Sequence, residues 1–228
     1  MGDRAGVGWS AEPVGECLLL LRLGASIEPA LNARVHALAA TLRSAGLAGI
    51  VDLVPAYASL AVHYDPLAWD DGEVAPWRRL ARALRAAQAA SMDAAPTPRR
   101  IEIPVRYGGD EGPDLAAVAA HAGIEPGEVV RRHAAAAYRV AMLGFAPGFP
   151  YLLGLDPALE LPRRSEPRLR VPAGSVAIGG AQTGIYPREL PGGWHLIGCT
   201  PLHLFEPERE PPCLLAPGDE VRFRPLPR

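Results

Sequence analysis

The stretches of this chain that best suggest chemistry near neutral pH fall in its second half. His133 closes a helical run, and His195 lies in an apolar run just after the turn Pro191-Gly-Gly-Trp194. An imidazole titrates near neutrality, so each is a candidate catalytic group, as a general base or as a donor to a polarised carbonyl. A satisfied structural histidine is the ordinary alternative. Between Pro162 and Pro172 four arginines, Arg163, Arg164, Arg168 and Arg170, fall within eight positions. The planar guanidinium fork suits a carboxylate or a phosphate, so Arg163 and Arg168 are the preferred pair for a small acid or a nucleotide; structural ion pairing is the competing use. The run from Gly174 to Pro187 reads as a strand ending in a glycine-rich turn, with Gln182, Thr183 and Tyr186 as hydrogen-bonding groups at its rim. Glycines there allow either close approach of a ligand to the backbone or a tight barrel corner. Residues 143–156 carry Phe145, Phe149 and Tyr151 among too many Gly and Pro for a regular element. They read as an ordered loop that packs its aromatics, either functional or a barrel plug, and Phe149 joins the substrate-binding candidates.

Several chemistries are excluded by what the sequence lacks. All 23 basic residues are Arg, and there is no Lys. A Walker-A loop, a pyridoxal Schiff base and a biotin carrier each require Lys, so none of them resides in this chain. The glycine-rich run matches no phosphate-loop or dinucleotide fingerprint, and Ser175 lacks the G-x-S-x-G elbow of a nucleophile. No H-E-x-x-H or similar spacing points to a metal. Cys17, Cys199 and Cys213 have no C-x-x-C spacing and are expected as reduced thiols, small and buried. The formal charge is −2 with the charges interspersed, which argues against nucleic acid and against an anionic membrane. The start of the sequence leads into no run long enough for a signal peptide or a span, and Gly6 stands where myristoylation needs Ser or Thr, so the expected location is the cytoplasm.

The elements that position these residues form two groups. Residues 17–23 read as a buried strand, and Leu31, Val35, Leu38 and Leu42 mark one face of a helix that Gly46 stops. Residues 50–54 and Ser59–Tyr64 read as strands around Pro55, and a second helix starts near Pro76, with Arg78, Arg82 and Arg85 on its polar face. This β-α-β-β-α series makes an N-terminal domain over residues 1–95, and Ala94-Ala-Pro-Thr-Pro98 reads as a linker. In residues 99–228 an alternating strand at 101–105 precedes short helices at 114–122 and 126–135. Strand-like runs at 138–143, 175–178, 194–197 and 220–224 then recur between Pro/Gly turns, as in a closed or nearly closed β structure. The fold class expected is α+β: a small N-terminal α/β domain followed by a β-barrel domain.

These stretches resemble the family that includes the B subunit of 5-oxoprolinase, the KipI-type kinase inhibitor and allophanate hydrolase subunit 1. The resemblance runs through Val54-Pro-Ala-Tyr-Ala-Ser-Leu60, Tyr107-Gly-Gly109, Gly144-Phe-Ala-Pro-Gly-Phe-Pro-Tyr151, Val171-Pro-Ala-Gly-Ser-Val176, Gln182-Thr-Gly-Ile-Tyr-Pro187, Gly192-Gly-Trp194 and Thr200-Pro201. It implies a cyclophilin-like barrel for the second domain. It also implies one component of a cyclic-amide hydrolase, inactive alone, that works with two others: a carboxyltransferase-like, KipA-type C subunit and the A subunit of 5-oxoprolinase. Such a complex uses ATP with Mg²⁺ to open the lactam of 5-oxo-L-proline to L-glutamate. Phosphoryl transfer to the lactam oxygen is the activating step expected, with the Arg163/Arg168 pair beside Gln182 and Thr183 supplying donors. The resemblance equally admits an inhibitor of a sensor histidine kinase or a component of urea or allophanate hydrolysis. The chain departs from the family pattern at Ala134, where a hydroxyl residue is frequent, and at Cys199, where Arg or another polar residue is common.

Overall fold

The computed structural model describes residues 8–90 and 98–227. Its contacts divide into two units, residues 1–97 and 98–228; residues 91–97, which hold most of the expected linker, lie outside the described residues.

The first unit is an antiparallel sheet in the order β1-β2-β4-β3, built from β1 (Ser10–Val14), β2 (Leu18–Arg22), β3 (Ile50–Pro55) and β4 (Ser59–Tyr64), with α1 (Pro29–Ala45) and α2 (Pro76–Ala90). Alternation in the strands puts Leu19, Leu21, Leu60, Val62 and Tyr64 on one face. There they bury against Val35, Leu38 and Leu42 of α1 and Leu80 and Leu84 of α2. Gly46 ends α1 in the left-handed conformation at φ 56°, a geometry that glycine adopts without a Cβ clash. The series is therefore β-β-α-β-β-α. The sequence reading omitted β1, an edge strand with Pro13 inside it, and edge strands are where proline is tolerated.

The second unit is a closed barrel. Its strands are β5 (Arg100–Tyr107), β6 (Tyr138–Leu143), β7 (Pro150–Leu153), β9 (Ser175–Gly179), β10 (Gln182–Ile185), β12 (His195–Cys199) and β13 (Glu220–Pro225), closed in the order β10-β7-β6-β13-β5-β12-β9. The short strands β8 (Arg168–Val171) and β11 (Leu190–Gly192) pair only with each other, and α3 (Leu115–Ala122) and α4 (Pro126–Ala135) complete the unit. The barrel is antiparallel except where β13 runs parallel to β5, in register from Glu220 against Arg100 to Pro225 against Val105.

Residues 143–156 are not one loop: they contain β7, which pairs with β6 on one side and β10 on the other. Only Pro150 to Leu153 is extended, too short a run to show alternation between its flanking glycines.

Alternation along the barrel strands separates two cores. Val176 and Ile178 of β9, Ile185 of β10 and Leu152 of β7 fill the barrel interior with Tyr138, Val140 and Phe223. Ala177 of β9 points the other way, into an outer cluster with Phe149, Val171, Tyr186, Trp194 and Leu196. The barrel thus carries a second apolar layer on its outer surface.

Candidate functional site

The outer layer opens into a cavity of about 260 Å³, lined by Phe145, Phe149, Tyr151, Tyr186, Trp194 and Arg163, with Pro167 and residues 191–193 forming a wall. Phe149 is the hub. Its ring meets Tyr186 edge-on at 5.2 Å and 87°, Trp194 at 5.7 Å and 84°, Phe145 at 5.4 Å and 81°, and Tyr151 at 5.0 Å. Edge-to-face pairs are the arrangement favoured by aromatic quadrupoles, so the cage is held by geometry as well as by burial. Phe145 is the one non-glycine residue at positive φ among those described, at 68°, and its side chain is 60% exposed at the mouth. Backbone strain of this kind clusters where a side chain must be held in a set place.

Two glycines of the 174–187 run, Gly179 and Gly184, serve the cage. A Cβ on Gly179 would lie 2.7 Å from the Trp194 ring, and one on Gly184 would lie 3.0 Å from Trp194 and 3.1 Å from Phe149. The indole therefore rests on bare backbone. Gly192 gives way in the same manner to the Tyr186 hydroxyl. Burial pushes the Tyr151 and Tyr186 phenols up, against smaller opposing pulls from the Trp194 amide on Tyr186 and from Arg163 on both. Both stay protonated at neutral pH, so Arg163 is the one ionised lining residue.

The four arginines divide by partner. Asp114, buried before α3, binds Arg168 at 2.8 Å and Arg164 at 3.3 Å through Oδ1, and accepts the Leu196 amide at 2.7 Å through Oδ2. Burial raises the Asp114 pKa, but the Arg168 hydrogen bond, the Leu196 amide and the two positive charges outweigh it and hold the carboxyl below its usual range. Arg170 faces Glu189 at 3.7 Å. Arg163 has no acidic partner among the described residues; its guanidinium lies 5.7 Å from the Trp194 ring centroid, a cation–π distance. The backbone on both sides of it is fixed. His195 Nε2 bonds the Pro162 carbonyl at 3.0 Å, and the Arg164 amide donates to Gly193 O at 2.8 Å. His195 thus acts as a strut for the loop, while its Nδ1 is buried without a hydrogen-bond partner among the described residues.

Of the residues expected at a site, the structure brings Arg163, Tyr186 and Phe149 together at the cavity. It does not bring the others there. Thr183 follows Gln182 on β10 and points to the opposite face, so the two cannot share a rim. Thr183 and His133 are fully buried. Thr183 Oγ1 donates to Ala177 O at 2.9 Å, so its remaining contact with His133 Nε2 at 3.0 Å must be donated by the ring. His133 Nδ1 then accepts from the Tyr107 hydroxyl at 2.8 Å. Burial lowers the His133 pKa to about 3. A neutral, sealed imidazole has no path to a reacting carbonyl. Arg168 is taken up by Asp114. The residues missed were Trp194, Tyr151 and the clamp Asp114. Trp194 could have been found from its place between Gly193 and His195, but Asp114 is 54 positions from Arg168 and left no local trace. Among the described residues no group of three or more His, Cys, Asp or Glu stands together as a metal site.

Comparison with known proteins agrees with this architecture. The family model for the carboxyltransferase domain, subdomain C and D, matches residues 9–215. The chain belongs to that family. Within it, the chain is similar to the B subunit of 5-oxoprolinase from Bacillus subtilis (strain 168), 43% identical over 95% of this chain and 92% of that protein. It is similar to the B subunit of 5-oxoprolinase from Escherichia coli O157:H7, 46% identical over 93% of this chain and 94% of that protein. Among solved structures, TTHA0988 superimposes at a TM-score of 0.78 and 43% identity over 92% of this chain, which spans 40% of that longer chain. Urea amidolyase of Kluyveromyces lactis superimposes at 0.72 over 96% of this chain and 15% of its own length, with 20% identity. That likeness is one of fold. The α+β class and the barrel expected from the sequence hold, and no described helix is long and apolar enough to cross a membrane.

Proposed function

We propose that this member of the family is the B subunit of an ATP-dependent 5-oxoprolinase. With a carboxyltransferase-like, KipA-type C subunit and the A subunit of the same enzyme, it opens the lactam of 5-oxo-L-proline to L-glutamate at the expense of ATP. The observation that carries this reading is the end-to-end match, at 43% and 46% identity, to two proteins that bear the name of the 5-oxoprolinase B subunit. One component of an assembly, and not a complete enzyme, also fits the side chains present. The cavity described above, at about 260 Å³, lies below the roughly 300–1,000 Å³ of drug-sized ligand sites, so ATP with Mg²⁺ does not fit it.

Co-expression with homologues of the A and C subunits, followed by size-exclusion chromatography and an assay of ADP and glutamate release, tests the reading. The expected result is co-elution and 5-oxoproline-dependent ATP hydrolysis that requires this chain. Separate elution at micromolar concentration, or full activity without this chain, overturns it.

A further inference from the structure

The cavity has a composition that selects a ligand. Its walls are aromatic, its phenols are neutral, and one guanidinium stands at its edge without an acid partner. Three neighbouring arginines with the same chemistry are each engaged by Asp114 or Glu189, whereas Arg163 pairs with no acid among the described residues. A cation packed on an indole keeps its in-plane N–H donors free, because the ring contacts only its face. The volume, about 260 Å³, suits a single small ring. The Cβ-less floor under Trp194 and the pinned backbone on both sides of Arg163 fix the donor relative to the stacking surface before any ligand arrives, and such preorganisation reduces the ordering cost of binding.

We propose that this cavity binds the substrate ring: a small, planar cyclic amide that carries a carboxylate, with the carboxylate on Arg163 and the ring against Trp194 and Tyr151. The assignment rests on the 5-oxoprolinase reading for the identity of the substrate, and on the cavity alone for its chemistry. Arg163 is a binding residue in this scheme, and it supplies affinity through a charge-assisted contact. The aromatic walls recognise the flat lactam, while the carboxylate contact discriminates against rings that lack one.

The test uses the full chain and its assembled complex. Trp194 is the one tryptophan of residues 98–228, so its indole ¹H–¹⁵N resonance, assigned through Trp194→Phe, reports the cavity directly. 5-Oxo-L-proline should shift that resonance saturably, in the chain or in the complex. 2-Pyrrolidinone, which has the lactam without the carboxylate, should bind at least tenfold more weakly. Arg163→Gln should weaken 5-oxoproline binding by at least tenfold, raise KM by a similar factor and bring the affinities for the two lactams together. Arg163 is exposed and makes no ion pair among the described residues, so the variant should melt with the wild type. An unmoved Trp194 resonance in both chain and complex, or a wild-type KM in Arg163→Gln, overturns the assignment. An active complex with either of those results leaves the 5-oxoprolinase reading standing. A complex that does not open 5-oxoproline, in which Trp194 still responds selectively to the carboxylated lactam, defeats that reading alone.

Discussion

Tyr107 can donate its hydroxyl proton to His133 Nδ1 only while that nitrogen carries none. Protonating the ring would take from the Tyr107 hydroxyl its acceptor and place a charge inside a shell of Tyr138 and Phe223 rings. Burial therefore favours the neutral imidazole in the folded state, with a pKa of about 3 against 6.5 for the free side chain. Because the folded pKa is depressed, the unfolded chain binds the extra proton as pH falls below 6.5. The associated stability is fully present above that pH and is lost progressively toward pH 3, at up to about 1.4 kcal/mol per pH unit. Urea denaturation at pH 7, 6, 5 and 4.5 should show this slope in the wild type. His133→Gln should be less stable at pH 7 by about 1–3 kcal/mol, through lost packing and hydrogen bonding, yet visibly flatter with pH. Parallel curves for the two proteins would mean that the acid sensitivity originates elsewhere.

At the scale of elements, Asp114 joins three pieces of the chain that are distant in sequence: the start of α3, β12 through the Leu196 amide, and the arginine loop that runs into β8. Asp114→Asn keeps the shape and one acceptor but removes the charge, so the partly buried Arg168 and Arg164 lose their counter-ion. Breaking such a pair costs about 2–4 kcal/mol, readable as a lower denaturation midpoint. If the loop also positions Arg163, the variant should raise the KM for 5-oxoproline more than it lowers kcat, and Asp114→Glu should recover part of that affinity. An unchanged KM beside a lowered midpoint would reduce Asp114 to a stabilising role.

Elements set by local chemistry could be read from the sequence. The helix ended by Gly46, the alternating strand Ser59–Tyr64 and the proline-started helix Pro126–Ala135 all lie as expected. Elements set by distant partners could not: β7 is four residues between glycine turns, and β8 and β11 exist only because each pairs with the other. The same limit governed the site. Arg163, Phe149 and Tyr186 could be proposed from their types, but the choice between Arg163 and Arg168 depends on an aspartate some fifty positions earlier.

For the whole molecule, the buried clusters do not mix. One is built from residues between Trp9 and Leu84, and the other two lie between Ile103 and Phe223. A fragment of residues 98–228 therefore has its own core and closed ladder, and it should fold alone. Calorimetry or circular dichroism of that fragment should show a cooperative transition; a broad, non-cooperative melt would count against independent folding.

The place of β13 has a consequence for synthesis on the ribosome. It lies between β5 and β6, and its parallel register pairs Glu220 with Arg100 and Pro225 with Val105. Residues 120 positions apart must therefore both be made before that seam can close. At about 5–20 residues per second, the interval is on the order of ten seconds. Through it the nascent chain carries an unpaired strand edge on β5 and, once residues 138–143 are made, a second on β6, that solvent or a chaperone must cover. A ribosome that stalls shortly before residue 220 would leave nearly all of the apolar core synthesised and no strand to seal it.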